Sequence, residues 1–238
     1  MAVKDQSELI ADLRAWSASF ETKQPQEVVA AVIERYQGKM VLACSFGAED
    51  VVLVDMVHRV NPSLPLFYLD TEFLFPETYA TRDQVIKRYS LKPAQVIQAK
   101  SLLTPQKQVE DYGDALWTRE PDRCCQLRKV EPLTRILQGY EAWITGIRRD
   151  QSPSRAHAGL IEWDEKFQLV KVNPLARWTW ADVWTYIKVH EVPYNPLHDQ
   201  NYPSIGCTHC TDPVAPGDDP RGGRWKNFAK TECGLHKA

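Results

Sequence analysis

Apolar side chains at Leu9, Ile10, Leu13, Trp16 and Phe20 recur at the spacing of one helix face, so the chain is predicted to open with an amphipathic helix. Pro25 suits the first turn of a second helix reaching about residue 36. Residues 40–44 form a short unbroken apolar run, the mark of a buried strand. Ser45-Phe46-Gly47-Ala48-Glu49-Asp50 leads out of it into an apolar helix over 51–60. Further strands are expected over 66–69, closing on Asp70-Thr71, over 94–97, and over 142–145, closing on Gly146, with a helix over 76–89. Strands alternating with helices predict an α/β fold, a mostly parallel sheet with flanking helices. Thr179, with Asp182 three residues on, writes a capping box for a helix over 180–190. From Val192 to Gly223 the pattern dissolves into Pro, Gly, Asn and Asp, so an irregular segment is expected, followed by a short tail.

Composition narrows the classes. The chain has 238 residues, 43% of them apolar, enough for one large domain or one domain with an appendage. A net charge of −2 argues against a general nucleic-acid binder, so any anionic ligand must be held by a local cluster of Arg and Lys. Asp5, Glu8, Asp12 and Arg14 interrupt the first twenty residues, which is incompatible with a secretory signal. No run approaches the roughly 18 apolar residues of a membrane span. A cytoplasmic protein is therefore expected, with no membrane partner. Six cysteines in a reducing compartment read as ligands or catalysts rather than disulfides.

Cys124-Cys125 and the pair in Cys207-Thr208-His209-Cys210 supply four thiolates from two distant segments. Four thiolates suit Zn²⁺ or an iron–sulfur cluster. Adjacent cysteines crowd one tetrahedral ion, whereas a cubane offers each a separate iron, which favours the cluster; unligated core cysteines are the bland alternative. Asp122 is expected to cap a helix running through Leu137, placing Arg128 one turn after Cys124 and Lys129 one turn after Cys125. Cations there would stabilise an anionic cluster and attract an anionic substrate, unless they are ordinary solvated residues. Cys233 lies near the chain end in Thr231-Glu232-Cys233-Gly234-Leu235-His236, where a thiol can visit a buried site, with His236 and nearby cations lowering its pKa. Cys44, closing an apolar strand, reads as a core residue.

The turn over residues 45–50 joins a strand to a helix. Gly47 allows a tight backbone turn, and a helix N-terminus offers free N–H groups, so the turn is a candidate anion cradle at the carboxyl edge of the sheet, though not a GxxxxGK[ST] loop. Thr145 to Arg155 again follows a strand and carries Arg148, Arg149 and Arg155; Arg221 and Arg224 lie shortly before Cys233. Guanidinium groups bind phosphate or sulfate oxygens in pairs.

Together these segments resemble the adenylyl-sulfate / phosphoadenylyl-sulfate reductase family of assimilatory sulfate reduction. The resemblance spans about Met40 to His236 through SFGAED, LDTEFLFPETY, CCQLRKVEPL, TGIRRDQSPSR, NPLARWTWADVWTYI, GCTHCT and ECGLH. It implies an adenine-nucleotide α-hydrolase-like fold related to the PP-loop ATP pyrophosphatases. It implies a [4Fe–4S] cluster on Cys124, Cys125, Cys207 and Cys210 that does not shuttle electrons in turnover. Cys233 would be the catalytic thiol, attacking the sulfonyl sulfur of adenylyl sulfate to give AMP and an S-sulfocysteine; thioredoxin or a similar dithiol would then release sulfite. Lys129, Arg221, Arg224 and His236 would contact the phosphosulfate, and Ser45, Phe46, Gly47, Gly146 and Arg155 would hold the nucleotide.

Members with both cysteine pairs mostly use adenylyl sulfate, so that substrate is expected, with phosphoadenylyl sulfate or dual use as the alternative. Many members read LDTG where this chain has Leu69-Asp70-Thr71-Glu72, a departure that leaves a substrate role for Asp70 open. The domain reading is an α/β nucleotide-binding domain over 1–195, including Cys124-Cys125, with 196–238 an irregular segment and catalytic tail rather than an independent domain. A homo-oligomer is compatible with the sequence. Two rivals remain: an RNA-thiolating PP-loop enzyme, whose SGGxDS-type loop Ser45–Asp50 lacks, and a non-enzymatic Cys₄ zinc module, which the colour of the purified protein would separate from an iron enzyme.

Overall fold

The computed structural model describes residues 6–226, 228, 230 and 232–235. The chain runs α1 (Gln6–Ser19), α2 (Pro25–Arg35), β1 (Met40–Ala43), α3 (Ala48–Val60), β2 (Leu66–Asp70), α4 (Pro76–Arg88), β3 (Val96–Lys100), α5 (Pro105–Tyr112), α6 (Leu116–Arg119) and α7 (Pro121–Cys125). A π-helical turn over Gln126–Val130 joins α7 to α8 (Glu131–Leu137), and β4 (Ala142–Ile144), β5 (Ile161–Asp164), β6 (Leu169–Val172) and α9 (Trp180–Val189) follow. The six strands form one sheet in the order β3-β2-β1-β4-β6-β5, parallel throughout except for β5.

Both faces of the central strands are buried. Met40 and Leu42 of β1, Leu66 and Tyr68 of β2, and Ala142 and Ile144 of β4 face the larger core, with α1, α2, α3 and α9. The intervening Val41, Phe67 and Trp143 face a second layer with Leu133 and Leu137 of α8. A period of two with apolar side chains on both faces explains why these strands read as unbroken runs. The strand order reverses between β1 and β4. That crevice at the carboxyl ends is where doubly wound sheets bind ligands.

Several expectations shift. The strand predicted over 94–97 begins at Val96, because Pro93–Gln95 form a 3₁₀ turn. Asp122 does not cap the cysteine helix: Pro121 starts it, and Asp122 sits inside the first turn, taking Lys230 Nζ at 2.7 Å. The hairpin of β5 and β6 was not foreseen. Thr179 does cap α9, accepting from Asp182 N at 3.2 Å while Asp182 takes Thr179 N at 2.8 Å.

Among the described residues, the region after α9 is irregular apart from 3₁₀ turns at Pro196–Gln200 and Thr208–Cys210. It is tied to the sheet edge by a bridge between Leu74 and Cys207 and by Thr208 N donating to Phe73 O at 2.8 Å. Among the described residues no helix is long and apolar enough to cross a membrane.

Candidate active site

The carboxyl ends of β1 and β4 open into a cleft of about 350 Å³, within the ordinary range of small-molecule sites. It is lined by Ser45, Phe46 and Gly47 after β1, by Gly146, Arg148 and Arg155 after β4, and by Lys129 from the π turn. Arg221, Arg224 and Cys233 complete it from the C-terminal region. The structure thus gathers the sequence-predicted nucleotide and anion residues around the predicted nucleophile. His236 lies outside the described residues.

The β1 side is shaped by backbone. The left-handed residue of the turn is Phe46 (φ 59), while Gly47 has an ordinary φ of −75, so the tight turn falls one residue earlier than expected. A non-glycine residue there carries strain on the order of 1–3 kcal/mol, and the buried Phe46 ring, packed edge-on against Tyr68 at 5.6 Å, holds it in place. Asp50 folds back so that its Oδ2 accepts from Ser45 N and Ser45 Oγ, each at 2.6 Å. Burial pushes the Asp50 carboxyl up to about 6 against those hydrogen bonds. The Ser45 amide is thus occupied by the chain's own carboxyl, and the cations stand on the other walls. Gly146 is required by closeness: a Cβ there would come 2.3 Å from Asp50 Oδ1.

The arginine-rich loop after β4 divides its work. Arg149 leaves the cleft to pair with Glu21 at 2.6 Å. Arg148 is buried, donates from Nε to Glu49 Oε1 at 2.9 Å, pairs with Asp150 and lies 5.4 Å from the centre of the Trp180 ring. Arg155 alone reaches across, to Glu232. On the C-terminal side, Arg224 Nε donates to the Cys210 carbonyl at 3.2 Å, and its Nη1 to Ser204 Oγ at 3.2 Å. Gly206 makes room for it, since a Cβ there would sit 2.3 Å from Arg224 Nη2.

The cysteine pairs meet behind Lys129. Cys124 is under the electrostatic influence of Cys125, Cys207 and Cys210, and none of the four is in a disulfide. Thr71 Oγ1 lies 3.3 Å from Cys207 Sγ. Burial, reinforced by the neighbouring thiolate charges, pushes Cys124 up to about 12 and Cys210 up to about 11. Lys129 is also buried, which opposes its charge, yet Cys207, Cys233 and Cys125 outweigh burial and hold it protonated. Added positive charge, such as a metal centre supplies, favours ionisation of the raised Cys124 and Cys210 thiols. Among the described residues no group of three or more His, Cys, Asp or Glu side chains is placed to hold a metal ion. In residue chemistry alone, four thiols are a donor set that an iron–sulfur centre takes.

Arg128 is no solvated helix residue. It is 1% exposed, donating to Gln108 Oε1 at 2.6 Å, Glu72 Oε2 at 2.9 Å and the Leu103 carbonyl at 3.0 Å. The π turn widens the helix after the cysteine pair and carries both Arg128 and Lys129 inward. Glu72 sits at φ 62, the left-handed region that favours glycine, and its side chain gives Arg128 its carboxylate. Asp70 is used up structurally: its carboxylate takes Tyr79 Oη at 2.6 Å, Glu72 N at 2.9 Å and the Gln98 amide. Cys44 is buried at the base of the cleft.

Sequence reasoning missed Asp50 and Glu232 as parts of the site. A carboxylate in a turn or tail reads as solvated unless the buried partner brought to it by the fold is known.

A doubly wound parallel sheet with a cation-lined cleft at its switch point defines a class of α/β proteins that bind phosphorylated ligands there. The sequence profile of the Phosphoadenosine phosphosulfate reductase domain matches residues 39–213, and the chain belongs to that family. The Adenosine 5'-phosphosulfate reductase of Halalkalibacterium halodurans is 47% identical over 219 residues, covering 92% of this chain and 94% of that one. The Phosphoadenosine 5'-phosphosulfate reductase of Gloeobacter violaceus is likewise 47% identical, over 98% of this chain and 95% of its own. Among solved structures, a phosphoadenylyl-sulfate reductase from Candida auris in a phosphate complex superposes with a TM-score of 0.74 at 29% identity, over 90% of this chain and all of that one. An FMN adenylyltransferase from Candida glabrata matches at TM-score 0.57 and 15% identity, over 90% of this chain and 78% of that one, a likeness of fold alone. The expected fold is therefore observed: a mostly parallel sheet shared with a nucleotide-handling adenylyltransferase.

Proposed function

We propose that this protein reduces adenylyl sulfate to sulfite and AMP, with Cys233 as nucleophile and thioredoxin or a similar dithiol as reductant. The observation that carries the reading is the meeting, in one cleft, of the Cys233 thiol, the turns after β1 and β4 and a set of cations, with the buried Cys124, Cys125 and Cys207 and the half-buried Cys210 nearby. Ser45, Phe46, Gly47 and Gly146 would hold the nucleoside, and Lys129 and Arg224, with His236 by resemblance, the phosphosulfate. The Cys233 thiolate forms an S–S bond to the sulfonyl sulfur as the S–O bond breaks, and that electron pair leaves on the AMP phosphate. Lys129 and Arg224 stabilise the charge gathering on that phosphate. A thiolate of the reductant then attacks Cys233 Sγ, sulfite departs with the S–S electrons, and the second reductant thiol restores Cys233 as the reductant becomes a disulfide.

Cys124, Cys125, Cys207 and Cys210 would hold a [4Fe–4S] cluster, whose charge when bound would set the field in which Lys129 acts. The six free thiols suit a cytoplasmic setting. The Gloeobacter relative's name favours a second reading for the substrate, phosphoadenylyl sulfate.

Anaerobic kinetics with both nucleotides, together with mass spectrometry of Cys233 after substrate is added without reductant, test the proposal. Adenylyl sulfate should give the higher kcat/KM, and an S-sulfo adduct should accumulate on Cys233. An unmodified Cys233 in a protein that turns over would defeat the mechanism, and a preference for the 3′-phosphorylated nucleotide would favour the second reading.

A further inference from the structure

Two of the cleft's cations are already engaged by the chain itself. Glu232, immediately before Cys233, is 7% exposed. Its carboxylate accepts from Arg155 Nε and Nη2, both at 2.9 Å, from Arg221 Nη2 at 3.1 Å, and from Ser154 Oγ at 3.3 Å. Burial alone would push that carboxyl up, but the Arg155 hydrogen bonds and charge outweigh it and hold the group below the usual carboxylate range. A fork-shaped guanidinium contact fixes direction as well as distance, so it orients the backbone on which the next side chain stands.

The neighbouring contacts act in the same sense. Lys230 donates to Asp122 Oδ1 at 2.7 Å and to the Pro121 carbonyl at 3.2 Å, at the start of the helix bearing Cys124 and Cys125. Lys166 Nζ donates to the Gly234 carbonyl at 2.6 Å, and Leu235 packs against the second core layer. By contrast, Lys129 and Arg224 line the cleft without a carboxylate partner among the described residues.

We propose that Glu232 is the positioning residue for the nucleophile: Arg155 and Arg221 grip its carboxylate and thereby seat Cys233 in the cleft, leaving Lys129 and Arg224 to meet the substrate's anion. The inference rests on the reading of Cys233 as nucleophile. It reassigns two arginines that the family resemblance gives to substrate. Were the substrate to take both, a buried carboxylate beside the attacking thiol would lose its partners, which is costly.

The test uses anaerobically purified holoenzyme and limited trypsin, reading cleavage after Lys230 by mass; the Lys230 side chain is 8% exposed in the docked tail. Glu232→Gln is expected to accelerate that cleavage on the order of tenfold, as a charge-assisted contact is lost. AMP affinity by calorimetry should stay within about twofold, while kcat for adenylyl sulfate falls by about tenfold at little-changed KM. Glu232→Asp, which keeps the charge, should restore part of the slow cleavage. If Glu232→Gln instead bound AMP about tenfold tighter with cleavage unchanged, Glu232 would be a mere occupant of the anion site and the clamp would be wrong. Cleavage needs no turnover, so a wild-type protein inert toward both sulfonucleotides would sink the activity reading while the clamp still stood or fell on the trypsin result.

Discussion

The two walls of the cleft are held by different forces. The wall over β1 and β4 is backbone, set by strands buried on both faces and by a turn closed on Asp50. The wall over residues 221–235 is tied down by side chains, through Glu232 to two arginines, Lys230 to Asp122 and Lys166 to a carbonyl. Apolar packing is not undone without unfolding, whereas ionic contacts at a cleft mouth can be exchanged one for another. The proposed reaction, in which one thiol meets first a bound nucleotide and then a separate reductant, would be served by a rigid wall facing a releasable one. Substitutions on the tail side should therefore cost chemistry and spare stability, and those on the sheet side should do the reverse.

The largest expected effect breaks the tail side alone. Cys233→Ser should abolish sulfite release while iron content and melting temperature stay at wild-type values; iron loss or normal turnover would collapse the division of roles among the cysteines. Next is Lys129→Ala, between the walls, expected to lower kcat/KM on the order of 10²–10³-fold with iron retained. Iron loss in proportion to activity would make that lysine a structural support.

On the sheet side, Asp50 is held near 6 by burial, above its ordinary 3.8. A raised folded pKa means its contribution to stability is complete at pH values below the ordinary one and is lost as pH rises through the folded one. Asp50→Asn should therefore gain on wild type between about pH 4 and pH 7, by up to roughly 3 kcal/mol in urea titrations. A pH-independent difference would count against the buried carboxyl. The smallest effect sharpens the same wall: Gly146→Ala should cost about 1–3 kcal/mol, because its Cβ would press on Asp50, with tryptic cleavage of the tail unaltered.

Much of this was legible in the chain. The unbroken apolar run at 40–44 and the strand read at 66–69 announced buried strands because each central strand is apolar on both faces. The edge strand β3 carries polar Gln98 and Lys100, so its register slipped when read from sequence. The motif residues Ser45, Gly146, Lys129, Arg155, Arg221 and Cys233 were named in advance, and they converge. What escaped were the partners. Arg149 pairs with Glu21, 128 positions away in the chain, and Arg155 with Glu232, 77 away. The π turn also escaped, since no local pattern announces a single widened turn.

The sequence by itself determined the strand–helix alternation, the two cysteine pairs and the terminal thiol, because periodicity and residue chemistry are local properties. Only the tertiary structure decided which arginine faces the cleft, that Arg128 is buried, that the Ser45 turn closes on its own carboxyl, and that Glu232 seats Cys233. Those outcomes depend on which charges the fold takes out of water together, and desolvation is a property of the packed molecule.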